Sequence, residues 1–460
     1  MPRARLTSIE LPDFGSPSSV PTLPPQLYQE RLRRLRLRMV ERGYDRLIFY
    51  ADREHSANLA WLSGFDPRFE EALLILGPEG EPWLLTGNEC LGLGRAAPLS
   101  LRVELWQDLS LPGQPRDRSR PLAEILTEAG LVSGARVGVV GWKPYADRAW
   151  LDVPAFLADA LRRSVAPGGD VENAVELLID PRDGLRTVNE PEQLAAFEYA
   201  ACHTSEGVKR VLFGLRPGMT EQEAVALLGW NGAPLSCHLM LSSGPRASLG
   251  LLSPSDRVIE RGDRFTTAYG VWGALDCRAG FVVADASELP AAIDDYVERL
   301  VAPYFEAIVE WLEALRVGQA GGVLYEIIAR HLGDPFFGIF LNPGHLIGLD
   351  EWVHSPVAPG SEIRLRSGAA MQVDVIPATG NEYFTTNIEG GLALADEPLR
   401  EELATRYPEA WARITKRRTF MRRELGVRLH DDVLPLSNLP AYLAPFLLAP
   451  ERALTMRPQM

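Results

Sequence analysis

The chain has 460 residues, 46% of them hydrophobic and 23% charged. Those proportions are ordinary for a globular protein and exclude a disordered or fibrous chain, and at about 150 residues per domain the length predicts two to three domains. With 61 acidic against 47 basic side chains the net charge is −14, which argues against a nucleic-acid partner, because a duplex-binding surface needs a basic excess. No run reaches the ~18 apolar residues of a membrane helix. The opening Met1-Pro-Arg-Ala-Arg-Leu-Thr-Ser lacks the apolar stretch of a secretory signal, so the expectation is a cytoplasmic protein with no membrane partner. Lys143, Lys209 and Lys416 are the only lysines, which leaves Schiff-base or phosphate-loop mechanisms little to draw on. Cys90, Cys202, Cys237 and Cys277 contain no Cys-x-x-Cys pair and read as reduced thiols.

In chain order, residues 1–25 form an extended lead-in, with prolines at 12, 17, 21, 24 and 25. A helix follows, with Tyr28, Leu32, Leu35 and Met39 on one face and Gly43 as its stop. The six arginines between Arg31 and Arg42 read as its solvated side. Arg46-Leu-Ile-Phe-Tyr, Ala72-Leu-Leu-Ile-Leu, Pro82-Trp-Leu-Leu-Thr and Ala135-Arg-Val-Gly-Val-Val-Gly read as strands, with a helix from Pro154 to Arg163. Alternation of this kind predicts an α/β domain over residues 26–182. Leu178-Ile-Asp-Pro-Arg-Asp-Gly-Leu-Arg is the boundary. Beyond it, Asn189-x-x-Glu192 and Thr220-x-x-Glu223 are capping-box patterns that open a long and a short helix. Strands near 235–242, 264–272 and 277–283 complete this half. The order then recurs: a long helix over about 290–316 with Pro303 as a kink, a short one near 323–331, and strands near 336–347, 369–376 and 384–393. Two related halves therefore make up residues 188–395, and residues 396–460 are a C-terminal extension.

The most distinctive segment is Asn342-Pro-Gly-His-Leu-Ile-Gly-Leu-Asp-Glu-Trp-Val-His-Ser-Pro. It resembles the Gly-His-x-Ile-Gly…Val-His-x-x-Pro region of the pita-bread hydrolases, which include aminopeptidase P, prolidase, methionine aminopeptidase and creatinase. Asn58-Leu-Ala-Trp-Leu-Ser-Gly-Phe, Asn189-Glu-Pro-Glu-Gln-Leu, Leu241-Ser-Ser-Gly-Pro-Arg-Ala and Arg261-Gly-Asp resemble further landmarks of that family. The resemblance covers about residues 26–395. It implies an α/β (α+β) fold: an N-terminal creatinase/prolidase-type α/β domain, then a pita-bread domain with a pseudo-twofold repeat.

The family's peptidases hold two metal ions with two Asp, one His and two Glu. Carried over one position at a time, the first Asp is Ala268 in Thr267-Ala268-Tyr269-Gly270. The second, three residues before an Arg, is Leu275, with Asp276 out of register beside it. The His is His345. The first Glu is Ile376, with Asp374 two residues back in Met371-Gln-Val-Asp-Val-Ile-Pro377, and the last Glu is Glu389. With two of five ligands matched, the expectation is no two-metal site and no cofactor, or at most a single Mn, Co or Zn ion.

Creatinase, which keeps this fold without metals, supplies the alternative chemistry. The run Gly273-Ala-Leu-Asp276-Cys-Arg278 resembles its Ala-Leu-Glu-Arg run, although Leu251 replaces the His that follows the Ser-Gly motif. Candidate catalytic residues are therefore His345, His354, Glu389, Asp276 and Asp374. Candidate substrate-binding residues are Arg68, in Phe65-Asp-Pro-Arg68-Phe, together with His238 and Arg278. The resemblance also implies a homodimer in which the N-terminal domain reaches the partner's site. The leading expectation is metal-independent, creatinase-like hydrolysis of a C–N bond in a small amino- or guanidino-type substrate. The alternatives are a metal-dependent Xaa-Pro peptidase and a catalytically inactive binding protein.

Overall fold

The computed structural model describes residues 4–458. They divide into two compact units: Leu23–Arg186, and the stretch up to Thr22 together with everything from Thr187 onward. Strand β1 (Arg5–Ser8) belongs to the latter.

In the unit Leu23–Arg186, α1 (Pro25–Glu41) starts on a proline and buries Tyr28, Leu32, Leu35 and Met39, as their spacing predicts. Strands β2 (Arg46–Ala51), β3 (Ala72–Leu76), β4 (Trp83–Thr86), β5 (Arg102–Leu105), β6 (Arg136–Val140) and β7 (Asp170–Asn173) form one mixed sheet in the order β5-β4-β3-β2-β6-β7. Helices α2 (Ala57–Ser63), α3 (Leu91–Arg95), α4 (Leu122–Glu128), α5 (Ala155–Val165) and α6 (Glu176–Ile179) accompany it. The sheet buries Ile48, Leu73, Ile75, Leu85, Val137 and Val139 against Leu157, Leu161 and Val165 of α5, each such side chain contributing about 1.5–3 kcal/mol. The arginine run on α1 is not uniformly solvated. Arg31 falls on the apolar face between Tyr28 and Leu35 and is fully buried. Its Nη1 donates to the Trp61 carbonyl at 2.8 Å, and its guanidinium lies over the Trp61 ring at 4.9 Å.

The second unit begins with α7 (Pro191–Gly214) and α8 (Glu221–Ala226). The box expected at Asn189 does not form. Glu190 precedes the helix without a side-chain cap, while Asn189 Nδ2 donates to the Gly368 carbonyl and Glu192 pairs with Arg406. The box at Thr220 and Glu223 forms as its pattern predicts. Next come β8 (Met240–Ser243), β9 (Arg264–Val271) and β10 (Ala274–Phe281), then α9 (Ala302–Ala314) and α10 (Gly321–Leu332). A π-type turn, Val297–Val301, precedes α9. Pro303 cannot donate to an i−4 carbonyl, so the long predicted helix is interrupted there. The second set of strands is β11 (His345–Leu346), β12 (Ala370–Gln372), β13 (Asn387–Glu389) and β14 (Gly391–Leu394), shorter than predicted.

The order long helix, short helix, strands therefore occurs twice. The second half lends a strand to the first, because β13 joins the first half's sheet. Helices α11 (Glu397–Arg406) and α12 (Pro408–Phe420) and strands β15 (Val433–Pro435) and β16 (Arg452–Thr455) follow. The sheets are β13-β10-β9-β8, β11-β12-β14-β15 and the pair β1-β16. Hence neither end of the described chain is an appendage. β16 pairs with β1, β15 extends the second sheet, and Glu198 of α7, buried, holds Arg413 and Arg417 of α12 at 2.6 and 2.8 Å. Among the described residues no helix is long and apolar enough to cross a membrane.

Replacing Arg31 by Ala removes a buried charged hydrogen bond and a cation–π contact. We expect it to lower unfolding stability by about 2–3 kcal/mol, read by urea denaturation, whereas Arg33→Ala on the exposed side of α1 should leave the midpoint in place.

Candidate active site

The motif around His345 is built from its backbone outward. Gly344 has φ of 102°, and a Cβ there would stand 2.9 Å from the Trp311 ring, so a side chain is excluded on both counts. The next residue, His345, pairs with Gln372 of β12. Leu346 N donates to the His354 carbonyl at 2.7 Å, and Val353 N donates back to the Leu346 carbonyl at 2.9 Å. Ser355 Oγ donates to the Gly344 carbonyl at 2.7 Å. These bonds close a loop over residues 347–352, and that closure brings Glu351 and Trp352 onto His345.

The His345 Nε2 atom lies 3.2 Å from Glu351 Oε1, 3.8 Å from Asp374 Oδ2 and 4.0 Å from Glu389 Oε1. His345, Asp374 and Glu389 are buried, and Glu351 is partly exposed. The indole of Trp352 stacks on the imidazole, centroids 4.1 Å apart and planes at 16°. Nδ1 faces the Leu346 carbonyl at 3.2 Å, which assigns the proton to Nδ1 and leaves the Nε2 lone pair directed at carboxylates. Neither Nε2 nor Asp374 Oδ1 has a hydrogen-bond partner with acceptable geometry. A buried lone pair facing three anions is unfavourable unless a cation, a proton or a metal ion, sits among them. The same electrostatics appear in the titration. Burial opposes the imidazolium, but Glu351 and Glu389 outweigh it and hold His345 up to about 10. Burial, followed by the charge of Asp374, raises the Glu389 carboxyl. Burial also raises Asp374, against the pull of His345.

The opposite side of the site is set by strand register. Met240 of β8 pairs with Ala268 of β9, Ala268 with Cys277 of β10, and Cys277 with Glu389 of β13. Directly paired residues share a face, so these four form one cross-strand row. Ala268, Leu275 and Cys277 pack together, with Cys237 and Met240 against them.

Of the residues expected in the site, the structure brings His345, Asp374 and Glu389 together. It does not bring Asp276 or Arg278 to them. Both alternate with Cys277 on β10 and so point to the other face. Asp276 accepts hydrogen bonds from Thr204 at 2.8 Å and Ser437 at 2.6 Å. Arg278 donates to the carbonyls of Tyr442, Cys277, Glu389 and Leu439, a backbone clamp that leaves nothing for a substrate. His238 is exposed, with Nε2 2.7 Å from the Leu251 carbonyl. The His354 backbone closes the 347–352 loop, while its imidazole Nδ1 faces the Ser355 carbonyl at 3.2 Å and pairs with no carboxylate of the cluster. Arg68 lies in the other unit, exposed, at φ 63° and 3.5 Å from Asp66. Glu351 escaped the sequence reading. Its signal is an acid between the two motif histidines, six residues after the first.

No protein-family profile and no curated protein sequence matches the chain. Solved structures match it in shape. A prolidase from Thermococcus sibiricus is 19% identical with a TM-score of 0.63, an X-Pro aminopeptidase from Thermotoga maritima 18% with 0.62, and a prolidase from Pyrococcus horikoshii 16% with 0.62. Each comparison covers 80% of this chain and 95% of the other. The chain has the pita-bread fold of the prolidases. The residue facing Ala268 across the hairpin is Cys277, not Leu275, which faces Gly270.

Asp276 also makes a testable statement. Its burial outweighs the Arg278 charge and the two hydroxyl hydrogen bonds, and pushes the carboxyl up to about 6. Between about pH 4, where the unfolded group ionises, and pH 6, folding therefore takes up a proton and stability falls as pH rises, levelling off above 6. We expect Asp276→Asn to abolish this component, on the order of 3 kcal/mol at ~1.36 kcal/mol per pH unit, when denaturation midpoints of the two proteins are compared from pH 4 to 7.

Proposed function

We propose that the chain hydrolyses the C–N bond of an amide in a short peptide-like substrate, with one divalent metal ion held by His345, Glu351 and Glu389. The observation that carries this reading is the convergence of their donor atoms, all within 4.8 Å of one another, around a buried Nε2 without a hydrogen-bond partner. One imidazole and two carboxylates suit Mn, Co or Zn and neutralise one dication. Two ions do not fit, because Ala268 and Cys277 leave the far side without anionic donors. The metal-independent, creatinase-like reading is the weaker one, since the Asp276 and Arg278 it relied on are engaged on the other face of β10.

When bound, the ion supplies a Lewis acid that polarises the substrate carbonyl and eases deprotonation of water. The Leu346 carbonyl holds the His345 imidazole in the tautomer that exposes Nε2. Trp352 covers one face of that ring and keeps water from it. Asp374, 3.8 Å from Nε2 and with Oδ1 unpartnered, is placed to take the proton of the attacking water and hand it to the leaving nitrogen. Similar structures include an X-Pro aminopeptidase and an Xaa-Pro dipeptidase by name, so Xaa-Pro dipeptides are the first substrates to try.

Elemental analysis and calorimetric titration with Mn, Co and Zn should find one ion per chain. His345→Ala, Glu389→Gln and Glu351→Gln should each weaken binding by roughly 100-fold, the upper end of what loss of even an outer-shell partner causes, and a chelator should abolish turnover of Xaa-Pro dipeptides. Turnover that survives chelation, or no stoichiometric ion, overturns the reading. Ion binding without turnover of any amide would make the chain a binding protein. The double variant Ala268→Asp, Cys277→Asp restores carboxylates to the row beside Glu389 and should bind a second ion.

A further inference from the structure

In the unit Leu23–Arg186, the neighbouring strands β2 and β6 run parallel. The chain leaves their carboxyl ends in opposite directions, from β2 toward β3 on one side and from β6 toward β7 on the other. Open α/β sheets bind their ligands at such a switch point. Here the two departing loops carry four aromatic rings in a chain of contacts. The rings of His55 and Trp142 lie 4.6 Å apart. The Lys143 ammonium sits 4.8 Å from the Trp142 ring and 5.6 Å from the Tyr145 ring, and Tyr145 meets Trp150 edge-on at 6.1 Å. Trp142 is 43% and Trp150 60% exposed. A single exposed ring is ordinary, whereas a contiguous row of them marks an interaction surface.

The backbone beneath the rings is pinned. Asp152 accepts from Trp142 N and Lys143 N at 2.6 and 2.8 Å. Buried Asn58 donates to the Gly141 carbonyl at 2.7 Å, and buried Asn173 to the Lys143 carbonyl at 2.9 Å. Preorganisation of this kind lowers the ordering cost of binding. The same bonds narrow the chemistry of the partner. A sugar needs free polar side chains beside the ring it stacks on, but Asp152, Asn58 and Asn173 are committed to the backbone and Asp52 to His55. A nucleic acid is opposed by the net charge of −14 and by the acids of these loops. The Lys143 ammonium, held only by the two rings, pairs with no carboxylate among the described residues. A polyproline II chain repeats every three residues, roughly 9 Å, a length that two rings flanking one ammonium at those distances can span.

We infer that this row docks an extended, proline-rich peptide segment of another protein. Its prolines lie on Trp142, Tyr145 and Trp150, and an acidic residue between them meets Lys143. Prolines pack on aromatic faces with little entropy left to lose, and the carboxylate supplies the partner that Lys143 lacks. The inference is independent of the chemistry proposed at His345.

The test titrates acetylated Pro-Pro-Glu, Pro-Pro-Gln and Gly-Ser-Glu repeat peptides of equal length into the full chain by calorimetry. The Pro-Pro-Glu peptide should bind about 30-fold more tightly than the Gly-Ser-Glu one, the difference expected from engaging a single hot-spot aromatic. The double variant Trp142→Ser, Trp150→Ser should lose that preference with its thermal midpoint unchanged, since both side chains are exposed. Trp150→Ser alone should lose part of it, and serves if the double variant is destabilised. Lys143→Gln should bind the Pro-Pro-Glu and Pro-Pro-Gln peptides equally, whereas the parent favours the former. No binding of the Pro-Pro-Glu peptide, equal affinity for the Gly-Ser-Glu peptide, or a preference that survives loss of both tryptophans overturns the inference. So does a parent that sediments as a dimer and ignores the peptide while the double variant is a monomer, because the row is then covered by a second copy of the chain. Metal binding and turnover enter none of these measurements, so failure here leaves the His345 reading untouched.

Discussion

Strand β10 lies between β9 and β13, and its register decides which side chains can do chemistry. Because side chains alternate along a strand, placing Cys277 opposite both Ala268 and Glu389 sends Asp276 and Arg278 to the reverse face. There a carboxylate and a guanidinium, both buried, are tolerable only because each is satisfied. Asp276 takes two hydroxyl donors and Arg278 is shared among four carbonyls. A slip of one residue would exchange the two sets, putting the Arg278–Asp276 pair beside His345 and a thiol among backbone carbonyls. The chemistry of the site is in this sense a property of the hairpin.

What holds that register lies far along the chain. Ser437, Leu439 and Tyr442 supply the partners of Asp276 and Arg278, Arg417 reaches Glu198 on α7, and β15 and β16 complete two sheets. The residues after 396, which read as an extension because the family resemblance ends near 395, supply partners on the reverse face of the sheet that carries the candidate site. Removing one member of such a network strands a buried charge, so the tail and the site are thermodynamically one object.

Much of this was legible in the residues alone. The apolar spacing of α1, the strands around Leu47 and Leu73 and the doubled order of helices and strands follow from local patterns, whereas His345 and Glu389 came through the resemblance of their motifs to those of the pita-bread hydrolases. Three features did not, each for a physical reason. Glu351 enters through a loop closed by Leu346, Val353 and Ser355, a tertiary event with no periodicity. Asp276 looked available because counting back from Arg278 follows the chain, whereas function follows the face. Arg31 looked solvated because a run of six arginines hides the one whose helical angle coincides with Tyr28 and Leu35.

The polar cluster and the apolar row next to it also bear on each other. A carboxylate beside water is weakened as an electrostatic partner by the solvent around it. The same carboxylate beside Cys277 and Ala268 is not, because thiol and methyl groups neither screen nor hydrogen-bond in water's place. The apolar side chains on β9 and β10 offer no anionic donors and lower the polarity around Glu389, so that in the proposed one-ion reading a cation at His345 would be held by few charges, each more effective. The raised Glu389 carboxyl and the raised His345 imidazole are two expressions of that environment. Burial resists isolated charge on both, and a positive charge between them would relieve it. A site so arranged sets three carboxylates and one imidazole beside an apolar row, and the charge that such a cluster draws in is positive.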